Sequence, residues 1–105
     1  MTKALERAAT LVARVRRSAP EVVELARAVS LAARVEPALL RRARLDLLPH
    51  LDAGAEADLW FSPLVEAHDA LALTFAPAMS DVLRRELAEN QTLLERAWAV
   101  VSEVH

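Results

Sequence analysis

A single glycine in 105 residues is the tightest constraint on this chain. Tight hairpin turns and phosphate-cradling loops need residues that enter left-handed backbone space without steric cost, and Gly54 is the one glycine on offer. Most hairpin-rich β architectures and every Gly-rich nucleotide loop are thereby excluded. Hydrophobic types reach 54%, yet aromatics supply only 4%; the excess is Ala, Leu and Val. With Arg and Glu, the Ala and Leu are strong helix formers, because they lose little side-chain freedom there. The fold class that follows is all-α: a compact bundle of five to six helices with a long C-terminal helix. Residues 1–105 are enough for one domain with one core and too few for two.

Five prolines, at 20, 37, 49, 63 and 77, punctuate the helical text. Helix one is predicted over residues 3–17, with Leu5, Ala8, Val12 and Val15 as its apolar stripe. Ser18-Ala19-Pro20-Glu21 reads as a helix start, with Ser18 as the cap and Pro20 in the first turn. Val22, Leu25, Ala26, Val29 and Ala33 then continue a second helix to about Arg34. Glu36-Pro37 forces an extended link, and Val35 is placed to staple to Leu40 across the start of helix three. That helix buries Leu39, Leu40, Ala43 and Leu47 and runs to about Leu48. After a turn over residues 49–54, capped by Asp52 or Gly54, a fourth helix holds Leu59, Trp60 and Phe61 and kinks or ends at Ser62-Pro63. In residues 67–76, Leu71, Leu73 and Phe75 alternate as in a strand. A lone strand has no partner, so the segment reads as an irregular loop packed on the core.

From Pro77 onward, Leu83, Leu87, Asn90, Leu94, Ala97, Val101 and Val104 recur at alternating spacings of 4 and 3. This is a heptad seam with one polar member. Two readings compete. Asn90 either caps a new helix, helped by Thr92-Leu93-Leu94-Glu95, or sits within one helix of roughly 28 residues and about 42 Å. The unbroken phase favours the single helix.

Chemistry is sparse. The chain has no cysteine, which removes disulfides, thiol nucleophiles and sulfur-ligated metals. His50, His68 and His105 lack a helical i, i+3 or i, i+4 partner, so solvated or turn positions are expected rather than a metal site. Serines 18, 30, 62, 80 and 102 have no flanking glycines to form a nucleophile elbow. Glu56, Asp58, Glu66 and Asp69 can in principle pair as acid and base, but helix-start charge and a solvated face account for them more simply. The expectation is a non-enzymatic domain without cofactor. No apolar run of about 18 residues exists, and the first ten residues alternate charge with alanine, so a cytoplasmic protein with no membrane association is expected.

Charge is unevenly placed. Residues 1–52 carry ten Lys/Arg and six Asp/Glu, whereas residues 53–105 carry three and nine. Arg7, Arg14 and Arg17 share one helix face, and Arg41, Arg42 and Arg44 cluster on another. These six are candidate interaction residues. A phosphate backbone is one possible partner, though a pI near 5.9 and the lack of aromatics among the arginines disfavour nucleic acid. The alternative is that basic and acidic halves face each other within the fold or across a partner interface. Trp60 and Phe61 point about 100° apart on a helix, so one can enter the core while the other sits near the surface as an interface anchor, with core packing the simpler role for such residues. Trp98 lies beside the seam, where packing is the simpler role.

The stretch from Leu48 to Val65, and above all Ala57-Asp58-Leu59-Trp60-Phe61-Ser62, resembles a helical segment of multidomain actinobacterial proteins from predicted conflict systems of the MoxR–vWA and FtsH-type ternary kinds. Leu83-Arg84-Arg85-Glu86-Leu87-Ala88, and a last helix ending near His105, are similar to the rest of that pattern, so the resemblance covers about residues 39–105. It implies a coupling or scaffolding module linked to an ATPase and an effector, with no catalytic position to carry over. Those segments are embedded in longer chains, whereas this sequence ends at 105. The expected function is therefore a protein–protein adaptor of a conflict or signalling system. The alternatives are homotypic assembly of a death-fold kind and, more weakly, nucleic-acid binding.

Overall fold

The computed structural model describes residues 2–104. Among them are six helices: α1 (Lys3–Ser18), α2 (Pro20–Val29), α3 (Pro37–Leu47), α4 (Gly54–Trp60), α5 (Pro77–Ala88) and α6 (Gln91–Val104). A two-stranded hairpin, β1 (Ala67–His68) with β2 (Leu73–Thr74), lies between α4 and α5. The mostly-α bundle expected from composition is what forms.

The start signals are local. Thr2 caps α1, its hydroxyl oxygen accepting from the Leu5 amide at 3.2 Å. Pro20, Pro37 and Pro77 each occupy the first turn of a helix, where a missing N–H costs nothing. Ser18 does not cap α2; it ends α1, its hydroxyl donating back to the Val15 carbonyl, and Ala19 is the joint. Asp52 folds over the start of α4 instead of capping it, its carboxylate accepting from Gly54 N–H at 2.9 Å.

Helix α2 is the axle of the bundle. Val22, Val23, Leu25, Ala26, Ala28 and Val29 are all buried on it, and α1, α3, α4, α5 and α6 all pack against it. It ends at Val29, earlier than the expected Arg34. Ser30 and Ala32 close with tight i→i−3 bonds, and the Ser30 carbonyl is taken by the Arg84 guanidinium at 2.7 Å. The chain then turns so that Val35 can exchange two 2.9 Å backbone bonds with Leu73. Ala33 is left exposed and Ala32 is buried in its place. Val35 and Leu40 are both buried, as the staple requires.

Two further expectations are corrected. The segment 67–76 is a small hairpin rather than an irregular loop, because its strand partner is its own other arm plus Val35. Asp69 makes the turn without glycine, its Oδ1 accepting from the amides of Leu71 and Ala72 at 2.7 and 3.0 Å. The single 28-residue helix is also replaced by two, α5 and α6. Glu89 and Asn90 close α5 with i→i−3 bonds, and Asn90 Oδ1 then accepts from Leu93 N–H at 3.1 Å to start α6. A rod of about 42 Å exceeds the longest extent of the domain, 34 Å. Folding back lets Leu83, Leu87, Ala97 and Val101 enter one core, with Leu94 and Val104 half-buried and Asn90 exposed.

Candidate interaction surface

The two arginine clusters have different fates. On α3, Arg44 is largely buried and its Nε donates to Glu56 at 2.6 Å, while Nη1 donates to the Leu51 carbonyl at 3.1 Å. Arg41 also faces Glu56, at 4.0 Å. Arg42 joins Asp46 to Glu103 of α6, and hydrogen bonds to these two carboxylates, Asp46 first, raise its already high pKa. Arg41, Arg42 and Arg44 are therefore the ties that hold α3 to α4 and α6, not a free basic patch. Mutual neutralisation of the two halves accounts for them.

Helix α1 differs. Arg16 pairs with Glu86 on α5, but Lys3, Arg7, Arg14 and Arg17 make no ion pair among the described residues. All four are exposed, and their spacing places them within one face of the helix. Thr10, Leu11 and the exposed carboxylate of Glu6 share that face.

Facing α1 runs the segment 57–66. Leu59 is buried and Trp60 packs half-buried against the core, so Phe61, one residue further round, is directed outward and is 75% exposed. Core packing, the simpler role, holds for Trp60 and not for Phe61. The Phe61 amide still bonds to Ala57 at 3.1 Å. Beyond it, Ser62 turns the chain, its Oγ accepting from Leu64 N–H at 3.3 Å, and buried Leu64 anchors the segment. His68 stacks on both rings, 5.9 Å from Trp60 and 5.4 Å edge-on from Phe61. The hairpin thus braces the exposed aromatic.

Between α1 and this segment lie two clefts. One, of about 330 Å³, is lined by Arg7, Ala8 and Leu11 against Leu64, Val65 and Glu66, with Met79 at its end. The other, of about 430 Å³, is lined by Arg14, Val15 and Ser18 against Ala57, Asp58 and Phe61. Pro63 lines both, and their α1 residues follow one another from Ala4 to Ser18, so the two clefts lie end to end along α1 as a trough with Pro63 between them. A third cleft of about 260 Å³ lies on the other side of Phe61, between Pro37, Leu40 and Trp60.

The remaining candidates do not converge. Glu56 is bound to Arg44, Asp69 to its own turn, and Asp58 and Glu66 line different clefts. His50 pairs with Glu24 at 2.9 Å. His105 lies outside the described residues. Among the described residues no three His, Asp or Glu side chains stand close enough to share a metal ion, and no helix is long and apolar enough to cross a membrane. Trp98 is 60% exposed on α6, not packed.

Sequence reasoning passed over His68, Asp58 and Glu66 as parts of this surface. Their roles come from the hairpin and the turn at Pro63, which bring distant residues together. Leu11 was within reach, since it falls between Arg7 and Arg14 at helical spacing. No family model, curated protein or solved structure matches the chain.

Proposed function

We propose that this chain is a non-enzymatic protein-interaction module, an adaptor that joins an ATPase and an effector of a bacterial conflict or signalling system. The observation that carries this reading is Phe61, a large aromatic held 75% in solvent by a braced turn and flanked by clefts on both sides. Rigid aromatics beside apolar recesses are the usual anchors of protein interfaces. The kind of system rests on the Ala57–Ser62 resemblance, whose Trp and Phe are the residues that build this surface. The test is co-expression with the products of neighbouring genes. The wild-type domain is expected to co-purify with one of them. Phe61→Ala should lower that recovery at least about tenfold, as loss of an interface anchor does, while leaving the melting temperature unchanged. No partner, or a partner indifferent to Phe61, overturns the proposal.

A second reading, homotypic assembly, is favoured by Trp98, which is 60% exposed on the far helix α6. It requires a concentration-dependent mass in light scattering that Trp98→Ala abolishes. A strict monomer at high concentration and low salt ends it.

A further inference from the structure

The trough along α1 has walls of opposite charge. Arg7 and Arg14 stand on the α1 side, and Glu66 and Asp58 on the side formed by residues 57–66. None of the four has an ion-pair partner among the described residues. The recess between them is apolar, with Ala8, Leu11, Val15, Leu64 and Met79 among its lining. The α1 stretch that borders it, from Ala4 to Ser18, is about 21 Å long at 1.5 Å per residue.

The geometry points to one occupant: an amphipathic helix of about four turns from a partner protein, with an apolar stripe, an acidic flank against α1 and a basic flank against Asp58 and Glu66. Such a helix buries its stripe in the trough and supplies each unpaired charge with a counter-ion. The opposed walls fix which flank goes where, and hence which way the helix runs. A polyanion fits worse. A phosphate backbone that gains Arg7 and Arg14 meets Glu66 and Asp58 in the same clefts, and like charges there cost affinity. This inference rests on the reading of the surface as a protein-binding face and adds to it the chemistry of the partner.

The experiment uses three synthetic helical peptides with the same leucine stripe. One has a glutamate flank and a lysine flank, one has glutamate on both and one has lysine on both. Binding to the full chain is measured by fluorescence anisotropy at low salt, with a short DNA duplex as a fourth probe. The mixed-flank peptide is expected to bind at least about tenfold tighter than either single-sign peptide, since unmatched flanks meet like charge. Arg7→Glu with Arg14→Glu makes both walls acidic and should move the all-lysine peptide to first place. Asp58→Lys with Glu66→Lys makes both walls basic and should favour the all-glutamate peptide. All four positions are exposed, and circular dichroism checks that each double variant folds. The inference fails if neither variant reorders the peptides, if no peptide binds, or if the duplex binds more tightly than all three. If the order stays fixed while partner recovery still depends on Phe61, only the charge assignment is lost. If recovery is absent as well, the interaction reading falls with it.

Discussion

Asp69 shows how one side chain substitutes for a glycine turn. Its carboxylate accepts two backbone N–H bonds, from Leu71 and Ala72, and its own N–H donates to the Ala72 carbonyl at 3.0 Å. The two amide bonds favour the ionised form and hold its pKa below the ordinary carboxylate value, the Leu71 bond contributing most. A pKa lower in the folded than in the unfolded state gives stabilisation that is complete above the unfolded value. It is lost as pH falls through the folded one. Protection of the Leu71 and Ala72 amides, taken relative to the intrinsic exchange rate at each pH, should therefore be high above the ordinary carboxylate range and fall only in more acidic solution. Asp69→Asn keeps an acceptor but has no proton to gain, so its exchange should lose that acid dependence. An unchanged profile would show that this carboxylate does not hold the turn. The same turn carries His68 into edge-on contact with Phe61, so the residue that closes the hairpin also helps set the exposed aromatic.

At the scale of elements, the helix faces and the proline-marked helix starts were legible, and the joints without a proline were not. Every apolar position assigned to α3 is buried, because 3.6-residue periodicity acts within one helix and needs no tertiary knowledge. The break between α5 and α6 was hidden because Asn90 keeps the heptad phase, so the pattern of apolar residues is the same on either side of the turn. What decides is the size of the whole domain, which no local window contains. Asn90→Ala removes the acceptor for Leu93 N–H and should cost about 0.5–2 kcal/mol in a urea melt. Leu25, on the expected buried face of α2, is wholly enclosed, whereas Leu94, a seam member, is only half-buried. Leu25→Ala should cost about 2–5 kcal/mol, and Leu94→Ala clearly less. Equal losses would mean that α6 is rotated from the position described. Arg7, Arg14 and Phe61 were named from the sequence among the residues that line the candidate surface. Its acidic wall needed the turn at Pro63.

Across the whole molecule, the uneven charge of the sequence becomes a device for joining its halves. Five of the six arginine–carboxylate pairs among the described residues link a cation from residues 1–52 to an acid from residues 53–105. Two acids gather most of them: Glu86 on α5 receives Arg16 and Arg27, and Glu56 on α4 receives Arg44 and Arg41. Solvent decides how much each matters. The Arg42–Glu103 pair is exposed, and screening and side-chain entropy leave such pairs contributing little. Arg44 and Glu56 are only 13% and 14% exposed, so removing one partner strands a partly buried charge. Fully buried pairs cost about 3–5 kcal/mol when one member is deleted, and residual exposure places this one lower, at about 2–3 kcal/mol for Glu56→Ala. Glu56→Gln keeps an acceptor for the Arg44 Nε and should lose about half as much. Glu103→Ala, judged on the same urea melts, should lose far less than Glu56→Ala. Added salt should weaken the Glu103 contribution and leave that of Glu56 nearly intact, because screening by mobile ions acts on exposed charges far more than on enclosed ones. Equal losses for the two alanine variants, or a Glu56 effect that salt removes, would place Arg44 in solvent. The α3 arginines would then rejoin those of α1 as free cations.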